Sequence, residues 1–282
     1  MSYPGYALLN VARAGKIVTA TVANPPMNLI TGELLEELDR FTTEVAADPE
    51  PLVVVLRSST PGFFVAHARY GDLDKLAAPR VPASRDEVSL NIVHRISRRL
   101  STMDKVTIAQ VEGRATGGGA ALAMTCDLRY GAVGQAVFNS FGVPVGTGLG
   151  GGATQYLPRL VGRSRAMEVI LAGLDLDAVT AERWGYLTRA LDPDEIGGYV
   201  DGIARRIASC SPAAIRHTKE LIAADLPLTE GLRDENFRLQ QLMVTDEAIA
   251  GIRSFLELGG ETPEGESRIG DLLGELLEKT GR

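Results

Sequence analysis

The chain has 282 residues, 45% of them apolar, and its 29 Lys and Arg against 36 Asp and Glu leave a net charge of −7 near neutral pH. That sets one large domain or two small ones, and it excludes a nucleic-acid surface built on clustered cations. Two cysteines, Cys126 and Cys210, make no disulfide framework and match no metal-ligand spacing, and three histidines exclude a His-rich metal centre, so neither metal nor cofactor is expected. The residues from Met1 to Ala7 lack the charged-then-apolar pattern of a secretory leader, and the expected compartment is the cytoplasm.

In chain order, Tyr6 to Val11 and Lys16 to Ala23 alternate apolar and polar residues around Ala14-Gly15, which predicts a β-hairpin. A loop, Pro25-Pro26-Met27-Asn28, follows. Leu34, Leu35, Leu38, Phe41 and Val45 recur at helical spacing between Glu33 and Ala46, and Leu52 to Leu56 is a β-branched run of the kind found in buried parallel strands. The alternation repeats with a helix marked by Val88, Ile92, Ile96 and Leu100 and a strand from Val106 to Val111, which makes the domain α/β. Glycine then becomes dense between Gly113 and Gly152. The charge-free stretch from Tyr130 to Pro158 is no membrane span, because it carries eight Gly and two Pro.

Beyond Gly152 the strand signal fades. Ala166 to Leu171, Ala178 to Trp184 and Ile196 to Ile207 read as helices, Ser211-Pro212 as a helix start with Ser as N-cap and Pro at the first position, and Leu228 to Met243 as a further helix. Gly259 to Ser267 is rich in Gly, Glu and Pro and is expected to be mobile. Ile269, Leu272, Leu273, Leu276 and Leu277 then form the stripe of a short amphipathic helix. This divides the chain into a core at 1–200, a helical region at 201–258 and a tail at 259–282.

The feature that carries chemistry is Gly113-Arg114-Ala115-Thr116-Gly117-Gly118-Gly119-Ala120-Ala121-Leu122-Ala123, a glycine turn between a buried strand and an apolar helical run. Unpaired N–H groups at a helix start favour negative charge. Spacing alone leaves phosphate binding and simple tight packing open. With these residues stand Asn24-Pro25-Pro26-Met27-Asn28, Phe63-Phe64-Val65-Ala66-His67-Ala68, Cys126-Asp127, Gly150 to Gly162, Ala181-Glu182-Arg183-Trp184-Gly185 and Ser211-Pro212-Ala213-Ala214. In order and spacing these segments resemble the enoyl-CoA hydratase/isomerase family, the crotonase superfamily.

The resemblance implies a crotonase-like fold of repeated strand-strand-helix turns whose C-terminal helices, at 201–258, assemble a homotrimer or a dimer of trimers. It also implies an acyl thioester as substrate, on CoA or a carrier protein, with the backbone N–H groups of Ala68 and Gly118 holding an enolate oxygen. The departures are as informative. Family hydratases carry one glutamate just after the glycine turn and a second in a Pro-Glu pair about twenty residues on. Here the first position is Ala121 and the second, allowing one inserted residue, is Gly142, while the Asp nucleophile of the dehalogenase branch is replaced by Gly and Leu.

Simple hydration, isomerisation and aryl dehalogenation are therefore disfavoured, and decarboxylation, a carbon–carbon lyase step or a cyclisation fits better. Two alternatives stand: a catalytically silent binding or structural protein, and an enzyme on a non-thioester substrate. Acid–base work needs a titratable group within reach. His67 is the candidate beside Ala68 and Gly118, because histidine is the side chain suited to proton transfer near neutrality, weighed against a structural role. Tyr70, Asn139, Ser140, Gly142 and Ala121 are the expected substrate contacts, with Arg69, Asp72 and Thr147 nearby. Arg95, Arg98 and Arg99 read as a solvated face, Trp184 as core, and Asp127 as the acceptor of a local backbone hydrogen bond.

Overall fold

The computed structural model describes residues 3–69, 83–87, 89–145, 149–224, 228–259 and 274–276. Strands β1 (Leu9–Ala14) and β2 (Ile17–Val22) form the hairpin, turning at Gly15 with φ +59°. Three similar turns follow, each a helix and then two strands. They are α1 (Gly32–Ala47) with β3 (Val53–Ser58) and β4 (Gly62–Val65), α2 (Ile92–Thr102) with β5 (Val106–Val111) and β6 (Gly113–Thr116), and α3 (Gly118–Thr125) with β7 (Leu128–Ala132) and β8 (Val137–Asn139). The first strand of each turn joins a six-stranded sheet, ordered β1-β2-β3-β5-β7 and closed by a last strand, β10 (Arg189–Leu191). The second strand of each turn joins a four-stranded sheet that ends in β9 (Leu176–Asp177), ordered β4-β6-β8-β9.

The large sheet is parallel from β2 onward, and its central strands are buried on both faces, which is why they read as continuous apolar runs. Val54, Leu56, Ala109 and Val111 point into the main core with α1, α2 and α3. Val53, Val55, Ile108 and Tyr130 point to the other face, where Ile196, Val200 and Ala204 cover them. Those three belong to α7 (Ile196–Ala208), which follows α4 (Ala153–Val161), α5 (Arg163–Ala172) and α6 (Ala178–Trp184).

Two expectations for this region change. The strand signal fades after Gly152, yet β9 and β10 are present; at two and three residues they are too short to show a period of two. Trp184 is only half buried, with the Arg165 guanidinium 5.2 Å from its ring.

The C-terminal helices are α8 (Pro212–Ala223), α9 (Leu228–Met243) and α10 (Asp246–Glu257), the last unforeseen in the sequence. The start of α8 is as expected, with Ser211 accepting from Ala214 N–H and Pro212 in the first turn. Neither α8 nor α10 has a buried residue, and Leu232, Phe237, Leu239, Val244, Ile249 and Ile252 along α9 and α10 are exposed.

What ties α8 to the core is Lys219, whose Nζ donates to Leu100 O, Lys105 O and Asp127 Oδ2 at 3.3, 2.7 and 2.7 Å. The same carboxylate oxygen accepts from the N–H and hydroxyl of Thr107. Asp127 therefore joins two strands and a distant helix rather than making a local turn. Residues 274–276 are helical, and the rest of the expected tail helix lies outside the described residues. Among the described residues no helix is long and apolar enough to cross a membrane.

Candidate functional site

Asn28 organises the entry to the site. It has a left-handed backbone, φ 54°, which Asn tolerates better than most residues, and it is fully buried. Its Oδ1 accepts from Asn24 N–H at 2.7 Å and Thr60 Oγ1 at 2.8 Å, and its Nδ2 donates to Ser58 Oγ and Phe64 O, both at 2.7 Å. The loop at 24–28 is thus fastened to both ends of the β3–β4 connection, and Ala66 N–H donates back to Asn28 O.

Asn28→Ala leaves several of these buried groups unpaired. It is expected to cost about 3 kcal/mol and to lower Tm by several degrees in a melt followed by circular dichroism.

Just past this anchor, Ile30 forms a parallel bridge with Ala68. Ile30 N–H donates to His67 O and Arg69 N–H donates to Ile30 O, each at 3.0 Å. Successive N–H groups of an extended chain alternate sides, so the N–H of Ala68 faces away from Ile30.

Opposite lies the start of α3. Its sequence, Gly-Gly-Ala-Ala-Leu-Ala-Met-Thr, is apolar all round, as befits a helix buried on every side. Gly117 precedes it at φ 52° and donates its N–H to Asn139 O at 2.8 Å. Gly118 takes the first helical position, where the N–H has no intrahelical acceptor.

The glycines let backbone approach backbone. A methyl group on Gly119 would lie 1.8 Å from Val65 O, one on Gly118 would lie 2.5 Å from Ile30 Cδ1, and one on Gly117 would lie 3.0 Å from His67 Cβ. Residues 65–67 and 117–119 therefore run side by side, and Gly118 packs against Ile30, the residue bridged to Ala68. At the far end of α3 the buried Arg129 donates to Met124 O and Cys126 O, placing a cation at the negative end of the helix dipole. Burial pulls its pKa down.

The other expected site residues fall differently. His67 Nδ1 is 2.8 Å from Ala68 O, and the ring meets Phe141 edge-on with centroids 5.1 Å apart. Ala121 is buried in the second turn of α3, where a methyl on Gly151 would come within 2.8 Å of its Cβ. Ser140 is buried and Gly142 lies in the turn after β8.

Asn139, expected at the substrate, has its Nδ2 engaged by Gly173 O and Asp175 Oδ1, both at 2.8 Å. Tyr70, with Asp72 and Thr147, lies outside the described residues. Arg95 and Arg99 are not simply solvated: Arg99 bonds Asp39 at 2.9 Å and Arg95 approaches the same carboxylate at 3.7 Å, while Arg98 is exposed.

Asp175 carries no motif and was not anticipated. It accepts from Arg114 Nη2 through both oxygens at 2.8 Å. Burial alone would raise its pKa, but the hydrogen bonds from Arg114 and Asn139 and the guanidinium charge outweigh that and hold it below the usual carboxylate range. Among the described residues no group of three or more His, Cys, Asp or Glu could hold a metal ion.

The fold has counterparts among solved structures. Superposition on the solved structure of Pseudomonas aeruginosa DspI gives a TM-score of 0.80 at 29% identity, covering 91% of this chain and 96% of that one. Enoyl-CoA hydratase from Bacillus anthracis gives 0.79 at 25% identity, covering 89% and 96%. In sequence, short-chain-enoyl-CoA hydratase of Clostridium acetobutylicum is 32% identical over 211 residues, 74% of this chain and 78% of its own length. The family model described as enoyl-CoA hydratase/isomerase matches residues 12–262, from the hairpin through α10, so the chain belongs to the enoyl-CoA hydratase/isomerase family.

Proposed function

We propose that this protein acts on an acyl thioester, carried by CoA or a carrier protein, and that the N–H groups of Ala68 and Gly118 hold the thioester oxygen as it gains enolate charge. The observation that carries this reading is the edge where residues 65–67 run beside 117–119, with the N–H of Ala68 turned away from Ile30 and that of Gly118 at the start of a buried helix. Donors fixed in place before the reaction need no reorganisation as charge develops, and one such donor contributes about 2.7–4 kcal/mol. The relative from Clostridium acetobutylicum is named for a short-chain enoyl-CoA, which supports the thioester class.

Simple hydration is not the reaction we favour. Water addition needs carboxylates to move its protons, and the two positions that would supply them are Ala121 and Gly142. A reaction that makes the enolate without a strong base fits these residues better.

Decarboxylation of a malonyl-type thioester is the simplest example. The bond between the α-carbon and the carboxylate breaks, its electron pair passes into the enolate, carbon dioxide leaves, and a proton is added at the α-carbon. His67 is the candidate proton carrier: with Nδ1 donating to Ala68 O, Nε2 is the ring atom that would exchange the proton. The exposed apolar residues of α9 and α10 support assembly into a homotrimer or a dimer of trimers.

A thermal-shift series with acetyl-, acetoacetyl-, crotonyl- and malonyl-type CoA esters, and with free CoA as control, tests the reading. An ester present at about 100 times its Kd adds roughly 2.7 kcal/mol, and Tm is expected to rise by several degrees. No shift with any ester would overturn the thioester assignment, and shifts without turnover across the same panel would point to a silent binding protein.

A further inference from the structure

A cavity of about 270 Å³ opens beside His67, at the C-terminal edge of the small sheet, and the oxyanion pair does not use it. Its polar lining is Arg114 and Thr116 from β6 and Asn139 from β8, and Phe63 and Phe141 add apolar wall. Thr116 is two residues from Gly118 and His67 is adjacent to Ala68, so the cavity lies within a short acyl chain's reach of the proposed oxyanion site.

The hydrogen-bond inventory of that lining is lopsided. Arg114 binds Asp175 through Nη2 alone, and among the described residues its Nε and Nη1 N–H groups have no acceptor. Asn139 is only 8% exposed and pins the same carboxylate, while its Oδ1 is buried without a donor. Asp175 thus fixes the guanidinium from one side and leaves donors on the other. Arg114 is partly exposed, so water serves those donors in the empty cavity; an alkyl chain filling the space would displace that water and leave them without partners, which is how a polar site rejects an apolar analogue.

We propose that this cavity is a subsite for an acyl group with an acceptor oxygen at its far end, a carboxylate or a ketone, and that Arg114 is the residue that selects it. The inference rests on the thioester reading for how the acyl group arrives, but the cavity's own chemistry is separable from it. At about 270 Å³ the cavity has room for a short oxygen-bearing chain.

The test is calorimetric titration of succinyl-, acetoacetyl- and butyryl-CoA into wild type, Arg114→Met and Thr116→Val. The oxygen-bearing esters are expected to bind wild type about tenfold or more tightly than butyryl-CoA. Preference for succinyl-CoA marks a carboxylate, and preference for acetoacetyl-CoA marks a ketone. Arg114→Met should abolish the preference, weakening the oxygen-bearing esters while butyryl-CoA binds as well as before or better, and Thr116→Val, which keeps the Arg114–Asp175 pair, should reduce it if the first variant does not fold. Equal binding of all three esters to wild type, or equal weakening of all three in the variants, overturns the subsite and leaves the thioester reading intact. If no CoA ester binds, free glutarate and levulinate decide: thermal protection of wild type but not of the variants upholds the cavity while the thioester reading falls, and no protection overturns both.

Discussion

Gly119→Ala is expected to leave little folded protein. The added methyl would lie 1.8 Å from Val65 O and 2.5 Å from Val65 C, and both are backbone atoms of β4 that no rotamer change can move aside. To relieve the contact, α3 and the small sheet must separate, opening a core in which Ala115, Ala120, Phe64 and Val65 are almost fully buried. Ordinary overpacking costs about 1–3 kcal/mol, and a backbone collision in a rigid core should exceed it. Against a typical total stability of about 5–15 kcal/mol, a loss of about 4 kcal/mol or more should put much of the chain in inclusion bodies and drop Tm by roughly ten degrees, at about 2–4 °C per kcal/mol.

Gly202→Ala belongs in the same experiment. Gly202 is in α7 with nothing within 4 Å of an added methyl and no left-handed φ, so alanine there should hold or raise Tm by removing backbone freedom from the unfolded chain. A soluble Gly119→Ala protein with wild-type Tm would mean that β4 and α3 are not in contact as described, and the proposed oxyanion edge would lose its basis.

This contrast also explains which parts of the fold could be read from the residues. The strands of the large sheet announce themselves because they are covered on both faces: Val53 to Leu56 is apolar throughout, and Val106 to Val111 interrupts its apolar run only with the buried Thr107 and Gln110. The small sheet has no such signature. Its strands are two to four residues long and include Gly62, Gly113, Arg114, Thr116 and Asn139, chosen for close approach and polar contacts rather than for burial. Only the family resemblance implied the paired-strand turn.

Side-chain partners distant in sequence were harder still. Asp127 looks local because Asp commonly bonds its own neighbours, and its actual partner Lys219 is 92 residues away. Asp175 sits in no recognisable pattern, and its role emerges only once Arg114 and Asn139 converge on it. Ala68 and Gly118 were legible as motif positions; that Ile30 turns the Ala68 N–H outward was not, because Ile30 reaches that strand through a single bridge.

Ala68→Pro is expected to fold and to lose roughly 10²–10³-fold in kcat for whichever acyl ester proves to be the substrate. Proline deletes the backbone donor and sets its ring Cδ where that N–H pointed, at a residue whose side chain is otherwise only a methyl group. The bridge to Ile30 does not need that donor, since it is made by His67 O and Arg69 N–H, so Tm should stay within a few degrees of wild type.

An interaction that strengthens as the carbonyl oxygen becomes an enolate is lost mainly from the transition state. The fall should therefore appear in kcat and at least as strongly in kcat/KM, the ring Cδ accounting for any loss of ester binding in the thermal-shift assay. The residual rate has a physical source in the proposed site: the N–H of Gly118, with the positive end of the α3 dipole behind it, remains as a donor. A folded Ala68→Pro enzyme that turned over at the wild-type rate would remove Ala68 from the mechanism and overturn the two-donor reading of the oxyanion site.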